Sequence, residues 1–395
     1  MINIENERAL TPGCKLAIHM NNAGAALQPQ PVVDAVIDYL RDESLHGGYE
    51  THNRRQEEID QFYSNAARLL SCEASNIAFQ VNATEAFSKA LSAIAFQKGD
   101  VILTSANDYT SNQIQFISLE RKLGVRLIHV PDLPEGGIDP QAVKEYINTY
   151  NPRLVSVSHI PTNSGLVQDV IAIGDICNKS DTTYLVDACQ SVGQMDVDVT
   201  QIKCDFLSAT MRKFLRGPRG GGFLYVSDRA LDKGFEPLMI DMRGADLTGP
   251  NNYSPRPGAM RFEGWENNYG VVCGASVAID HALSVGLDNI QKYNELLSKR
   301  LRDGLSTVDG LRILDRGKDL CAIVTLYIEG TEWEALKSYM TANKINCSVA
   351  LRGNNQLDFG SAGKDVPWAL RLSPHYYNTE NEVDQVIDVL KAYRF

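Results

Sequence analysis

Two residues of this chain form a pair that catalysis can use. Asp187 closes the apolar run Thr183-Tyr-Leu-Val-Asp187, and Lys213 follows a second strand-like run. In a parallel sheet, ligands gather at the carboxyl ends of the strands, and Asp187 stands at such an end. A lysine and an aspartate so placed suit pyridoxal 5′-phosphate (PLP). The lysine forms a Schiff base with the cofactor, and the aspartate keeps the pyridine nitrogen protonated so that the ring takes up a carbanion's electrons. Taken singly, Asp187 reads as a helix N-cap and Lys213 as a surface lysine paired with an acid. Taken together, and followed by Gly217-Pro-Arg-Gly-Gly-Gly, they read as a cofactor site.

Asp187-Ala-Cys-Gln190 and Ser208-Ala-Thr210-Met-Arg212-Lys213-Phe resemble the PLP motifs of the class V aminotransferase family. That group includes cysteine desulfurases, selenocysteine lyases, cysteine C–S lyases and isopenicillin-N-epimerase-like proteins. The resemblance runs along nearly the whole chain. It is closest to the epimerase-like branch, which often reads R-K-F-L-R-G-P-R-G around the lysine. It implies the α/β PLP fold type I: a large domain with a mostly parallel seven-stranded sheet and a smaller C-terminal α+β domain. It also implies a homodimer with the sites at the subunit interface.

The resemblance carries further residues one by one. Val81-Asn-Ala83-Thr84-Glu-Ala resembles the family's phosphate turn. Lying between a strand and a helix, its N–H groups and the Thr84 hydroxyl can point at a dianion; a plain Thr N-cap is the alternative. Tyr109 falls where desulfurases stack an imidazole on the pyridine ring. It supplies an aromatic face but no acid/base near neutral pH, and a core tyrosine is the alternative. Asn163 and Gln190 match the residues that contact the pyridine 3′-oxygen, although an Asn near Gly also reads as a turn. Thr210 and Arg212 match phosphate contacts, with Arg212 standing where many relatives carry histidine. Arg371, in Trp-Ala-Leu-Arg371, matches the arginine that holds the substrate α-carboxylate bidentately; a structural salt bridge is the alternative. Asn22 and Tyr49 are expected at the substrate edge of the pocket. His375 reads as a loop histidine. No metal site is expected.

One absence bears on the reaction. Desulfurases carry a nucleophilic cysteine on a mobile loop before the arginine strand, and the interval 351–367 here has none. Cys347 reads as core, so persulfide formation on a loop thiolate is disfavoured. The expected reaction is α-proton abstraction by Lys213 from a small amino acid, followed by β-elimination as in a C–S lyase. Transamination or epimerisation is the alternative within the family, and a non-catalytic scaffold the alternative outside it.

These residues need a frame to hold them. Strand-like runs at 76–80, 101–105, 126–131, 154–160, 183–191, 204–214 and 220–227 alternate with helical patterns at 31–42, 55–70, 111–124, 141–150 and 170–180. That rhythm predicts a mostly parallel sheet covered on both faces. Residues 270–306 read as one long helix or two joined ones. Beyond them runs a second α+β pattern. The expected division is 20–270 for the large domain and 271–395, with the arm 1–19, for the small one.

A chain of 395 residues has room for both. The net charge of −11 and the lack of a Lys/Arg run argue against nucleic-acid binding. No apolar stretch reaches the length of a membrane span, and the N-terminus lacks a basic-then-apolar signal pattern. The eight cysteines form no C-x-x-C pair and read as reduced thiols of a cytoplasmic protein.

Overall fold

The computed structural model describes residues 2–360 and 364–393. Residues 361–363 of the interval 351–367, and Arg394 at the end of the expected last helix, lie outside the described residues. Short apolar runs become seven strands: β1 (Ile77–Gln80), β2 (Val101–Thr104), β3 (Arg126–His129), β4 (Leu154–Ser158), β5 (Thr183–Asp187), β6 (Phe206–Thr210) and β7 (Gly222–Val226). They join in the order β1-β7-β6-β5-β4-β2-β3. Only β7 runs against its neighbours.

Alternate residues of these strands feed two separate cores, the result expected of a sheet covered on both faces. Leu103, Val155, Val186, Leu207 and Phe223 enter one core, with the helices Gln30–His46 and Gln56–Leu70. Ile102, Leu154, Leu185, Phe206 and Leu224 enter the other. That second face carries α1 (Ala83–Ser92) and α2 (Thr110–Leu123).

Residues 270–306 form two helices, α3 (Tyr269–Val285) and α4 (Leu287–Leu305), bent by 78° at the break. Gly286 sits at the bend with φ +88°, a conformation that side-chain-bearing residues resist. Side chains of α3 through Ala282 belong to the large-sheet core. Ile290 of α4 still joins that core, while Leu297, Leu301 and Leu305 pack with an antiparallel sheet of β8 (Leu311–Ile313), β9 (Val324–Ile328), β10 (Ser348–Leu351) and β11 (Trp368–Leu372), in the order β8-β9-β11-β10. Ile18–His19 pairs in parallel with Ile345–Asn346, which stitches the N-terminal segment to this second unit. No single helix is long and apolar enough to cross a membrane. All eight cysteines are unpaired, and no metal-binding cluster occurs among the described residues.

A buried charge cluster fixes the turn that carries Lys213. Arg216 is 1 % exposed and has φ +58°. Its guanidinium lies 3.2 Å from Glu7 Oε2, donates to Leu27 O at 3.0 Å and to the Thr11 hydroxyl, and stacks on Tyr376 and Tyr377. His281 Nε2 reaches the same Glu7 oxygen at 2.8 Å. One side chain thus ties together the N-terminal arm, the Lys213 turn and the segment after β11. Burial pushes the Glu7 carboxyl up, but the His281 hydrogen bond and the Arg216 charge outweigh it, and the net shift is downward. The stabilisation is therefore full above the ordinary glutamate range and fades as acid protonates Glu7 below it. Glu7→Gln leaves Arg216 buried without its carboxylate. It is expected to cost about 3 kcal/mol or more, read as a fall in the urea midpoint that shrinks toward low pH.

Candidate active site

The site forms where β5 and β6 end side by side. Asp187, the last residue of β5, pairs with Ser208 of β6. The chain leaves β6 at Thr210 and turns back through Arg212 and Lys213 into β7. A cavity of about 440 Å³ opens there. Ala83, Thr84, Tyr109, Asp187, Gln190, Thr210, Arg212 and Lys213 all line it, so eight residues singled out from the sequence converge on one space.

One end of the cavity is an anion pole. Asn82 caps α1, its side chain accepting from Glu85 N at 2.8 Å. Thr84 is therefore not the cap. The first-turn N–H groups at Ala83 and Thr84 have no acceptor within the helix, and the helix dipole favours negative charge beside them. This end depends on Gly222. A Cβ there would lie 2.7 Å from Ala209 O, 2.8 Å from Asn82 C and 2.9 Å from Ala83 N.

The middle of the cavity holds the titratable pair. Lys213 is buried, and burial pushes its amine below the ordinary lysine value. Arg212 and Arg371 act in the same direction, while Cys189 and Asp187 oppose it. Asp187 Oδ1 accepts from Cys189 N and Oδ2 from Asn112 Nδ2, both at 2.9 Å. Gln190 Nε2 donates to Ala23 O at 3.1 Å, and its Oε1 is buried without a hydrogen-bond partner. Arg371 lies behind Thr162, to whose carbonyl it donates at 2.9 Å. Its Nε is buried and unpartnered, and burial pushes its pKa down to about 10.

Three expectations change. Asn22 does not line the cavity. It is fully buried, its Nδ2 donating to Ser373 O at 2.7 Å and its Oδ1 accepting from the Tyr377 hydroxyl, so both ends of the amide join the N-terminal segment to the chain after β11. Tyr49 does not line the cavity. It stands 71 % exposed on the short helix Gly48–Arg54. Asn163 is buried outside the lining, and its Nδ2 donates to Asn355 Oδ1 at 2.7 Å. His375 does lie in a loop, as expected. It is buried, bonded to Phe214 O at 2.8 Å and to Asn294. Sequence reasoning passed over Ser158, Ile160, Thr162 and Cys189, which line the cavity, and Asp108 and Asn112 behind Asp187. Their one signal was position, at or just past strand ends. A larger cleft of about 780 Å³ lies along residues 133–140, 166–171 and 318–320, but its charged residues are mostly acids and its one lysine, Lys318, is exposed.

A buried lysine and an aspartate at adjacent strand ends of this sheet define a PLP enzyme of fold type I. The class V aminotransferase family profile matches residues 18–386, and the chain belongs to that family. It is 27% identical, over 98% of its length and 97% of the relative's, to a probable cysteine desulfurase of Methanothermobacter thermautotrophicus. Its fold matches the apo cysteine desulfurase of Thermococcus onnurineus at a TM-score of 0.90 and 24% identity, covering 99% of this chain and 98% of that one. It matches the cystine C–S lyase C-DES, solved with its reaction product cysteine persulfide, at 0.86 and 19% identity, covering 97% and 99%.

The residues present fit PLP. The cavity offers an amine, a carboxylate and an anion pole, and the orphaned Arg371 Nε beside it awaits an anion. Gly222→Ala is expected to push α1 away from β7 and to weaken PLP binding about tenfold, the equivalent of about 1.4 kcal/mol of overpacking strain. Equilibrium dialysis of apoprotein with PLP checks it.

Proposed function

We propose that this chain is a PLP-dependent lyase that breaks the C–S bond of a small sulfur amino acid by β-elimination, without a cysteine of its own receiving the sulfur. The observation that carries the reading is the buried Lys213 amine sharing one cavity with Asp187 and the free first turn of α1. Bound there, PLP supplies an electron sink for the carbanion at the substrate's α carbon. Ala83, Thr84, Thr210 and Arg212 would hold its phosphate, Asp187 would hold the proton on its ring nitrogen, and Gln190 and Tyr109 would contact its ring. Arg371 grips the substrate α-carboxylate with both arms of its guanidinium. Lys213 Nζ takes the α-proton, a task suited to an amine whose pKa burial has lowered. The C–S bond then breaks, and sulfur leaves with the bonding pair and acquires a proton. After water adds, the carbon skeleton ends as pyruvate and ammonium.

Two features favour direct release of sulfur. The interval 351–367 contains no cysteine. Cys189 does line the cavity, but burial pushes its thiol well above the ordinary value, with Asp187 acting the same way, so it is held protonated. The relatives named cysteine desulfurase and the C–S lyase share chemistry at a C–S bond, which supports the substrate class. Wild-type holoenzyme is expected to show a visible absorbance band and to release pyruvate and a sulfur product from cysteine, cystine or a related sulfoxide. Lys213→Ala is expected to lose the visible band and the exchange of the α-proton in D₂O. Conversion of the cofactor to its amine form without pyruvate marks a transaminase, and inversion at the α carbon an epimerase. A wild-type protein that takes up no PLP overturns the enzyme reading altogether.

The working unit is a homodimer. Leu45, Tyr49, Met239 and Leu247 are each more than two-thirds exposed in the single chain, at 77 %, 71 %, 82 % and 84 %, and large apolar side chains in such number favour a covering surface. Sedimentation is expected to give a dimer; a stable PLP-loaded monomer contradicts it.

A further inference from the structure

Asp187 is backed by a second acid. Asn112, in the first turn of α2, donates from Nδ2 to Asp187 Oδ2 and to Asp108 Oδ1, both at 2.9 Å. Asp108 also accepts from Tyr109 N at 2.6 Å, Ser158 Oγ at 2.7 Å and Thr104 Oγ1 at 3.2 Å. Two buried carboxylates thus share one amide group. Among the described residues no salt bridge reaches Asp108; burial pushes it up to about 6, and Asp187 adds to the rise. The other charged or titratable groups around this array are Lys213, Arg212 and Cys189, on the cavity side of Asp187. On the far side His129 touches Gln113, and burial pushes its imidazole down. The array therefore sets two carboxyl groups side by side behind the cavity, joined through Asn112. Buried like charges destabilise a fold unless a positive charge completes them. A protonated ring nitrogen is such a charge.

We propose that Asp108 and Asn112 are positioning residues for Asp187: Asn112 fixes the rotation of its carboxylate, and Asp108 adds a second negative charge that deepens the pocket's preference for a protonated pyridine. This rests on the PLP reading above. Asn112 is the joint of the array, because its amide is the one group bonded to both acids. Asp108→Asn removes the charge and keeps the shape. The new Oδ1 still accepts from Tyr109, Ser158 and Asn112, and the new amide meets the Thr104 hydroxyl, which can rotate to accept.

The test uses reconstituted wild type, D108N, N112L and D108E. The readouts are the pH titration of the visible cofactor band, the PLP dissociation constant and the melting temperature of each apoprotein. D108N and N112L are expected to lower the midpoint of the band titration by about one pH unit and to weaken PLP about tenfold. D108E restores most of both. Apo D108N is expected to melt at or above wild type at about pH 8, because a carboxyl whose pKa is raised in the fold loses stability as pH rises through that pKa. An unchanged titration in D108N, an effect absent from N112L, or a lower melting temperature in D108N with no rescue by D108E overturns the proposal. A wild type without a visible band instead overturns the PLP reading itself.

Discussion

The structure turns on burying a lysine amine and a carboxylate in one cavity without letting them neutralise each other. Two neighbouring parallel strands solve the problem by register. Asp187 and Ser208 stand opposite each other on β5 and β6, so the turn after β6 returns Lys213 toward the acid from above. Much of the surrounding fold holds that turn still. Arg216, three residues on, is clamped by the N-terminal arm and by two tyrosines beyond β11. Parts of the chain far apart in sequence thus meet at one guanidinium. Such a cluster is worth little as a source of stability, but it is a strict specification of where the turn lies.

Charge is graded along the cavity. One end is positive, with the free turn of α1, Arg212 and, behind Thr162, Arg371. In the middle, beside Lys213, stands Asp187, which shares Asn112 with Asp108 behind it. A ligand with an anionic phosphate, a cationic ring nitrogen and an anionic carboxylate finds a complement for each. The downward shift of the Lys213 amine comes first from burial, which outweighs the nearby acid Asp187.

The sheet was legible because its strands are buried on both faces and read as apolar runs. The hairpin Ala245–Gly249 with Asn252–Pro255 was not, because most of its residues are exposed and no apolar face betrays it. Among site residues, those held by strand ends and helix starts were found. Those misread were amides and edge residues, where a motif fixes position but not direction. Asn22 occupies the expected segment, yet its amide turns inward to Ser373. Asp108, beside Tyr109 in sequence, was passed over. Its meaning needs Asp187, brought near by the pairing of strands and invisible in local spacing.

The described residues between β10 and β11 pack against Thr110 and Asn163, neighbours in sequence of the cavity-lining Tyr109 and Thr162. This segment is fastened at several points. Asn355 accepts from Asn163 at 2.7 Å, and Thr110 donates its hydroxyl to the Asn354 carbonyl. Lys364 is buried, bonded to the Asn163 carbonyl at 2.5 Å and ion-paired with Asp358 at 2.8 Å. Pulling Lys364 away would leave Asp358 buried without its cation, which costs far more than parting a surface pair. A segment held this way suits a wall better than an arm that carries sulfur to a partner. The fastening of Asn354, Asn355 and Lys364 and the absence of a cysteine from 351–367 are the two features of this segment on which the proposal of direct sulfur release leans.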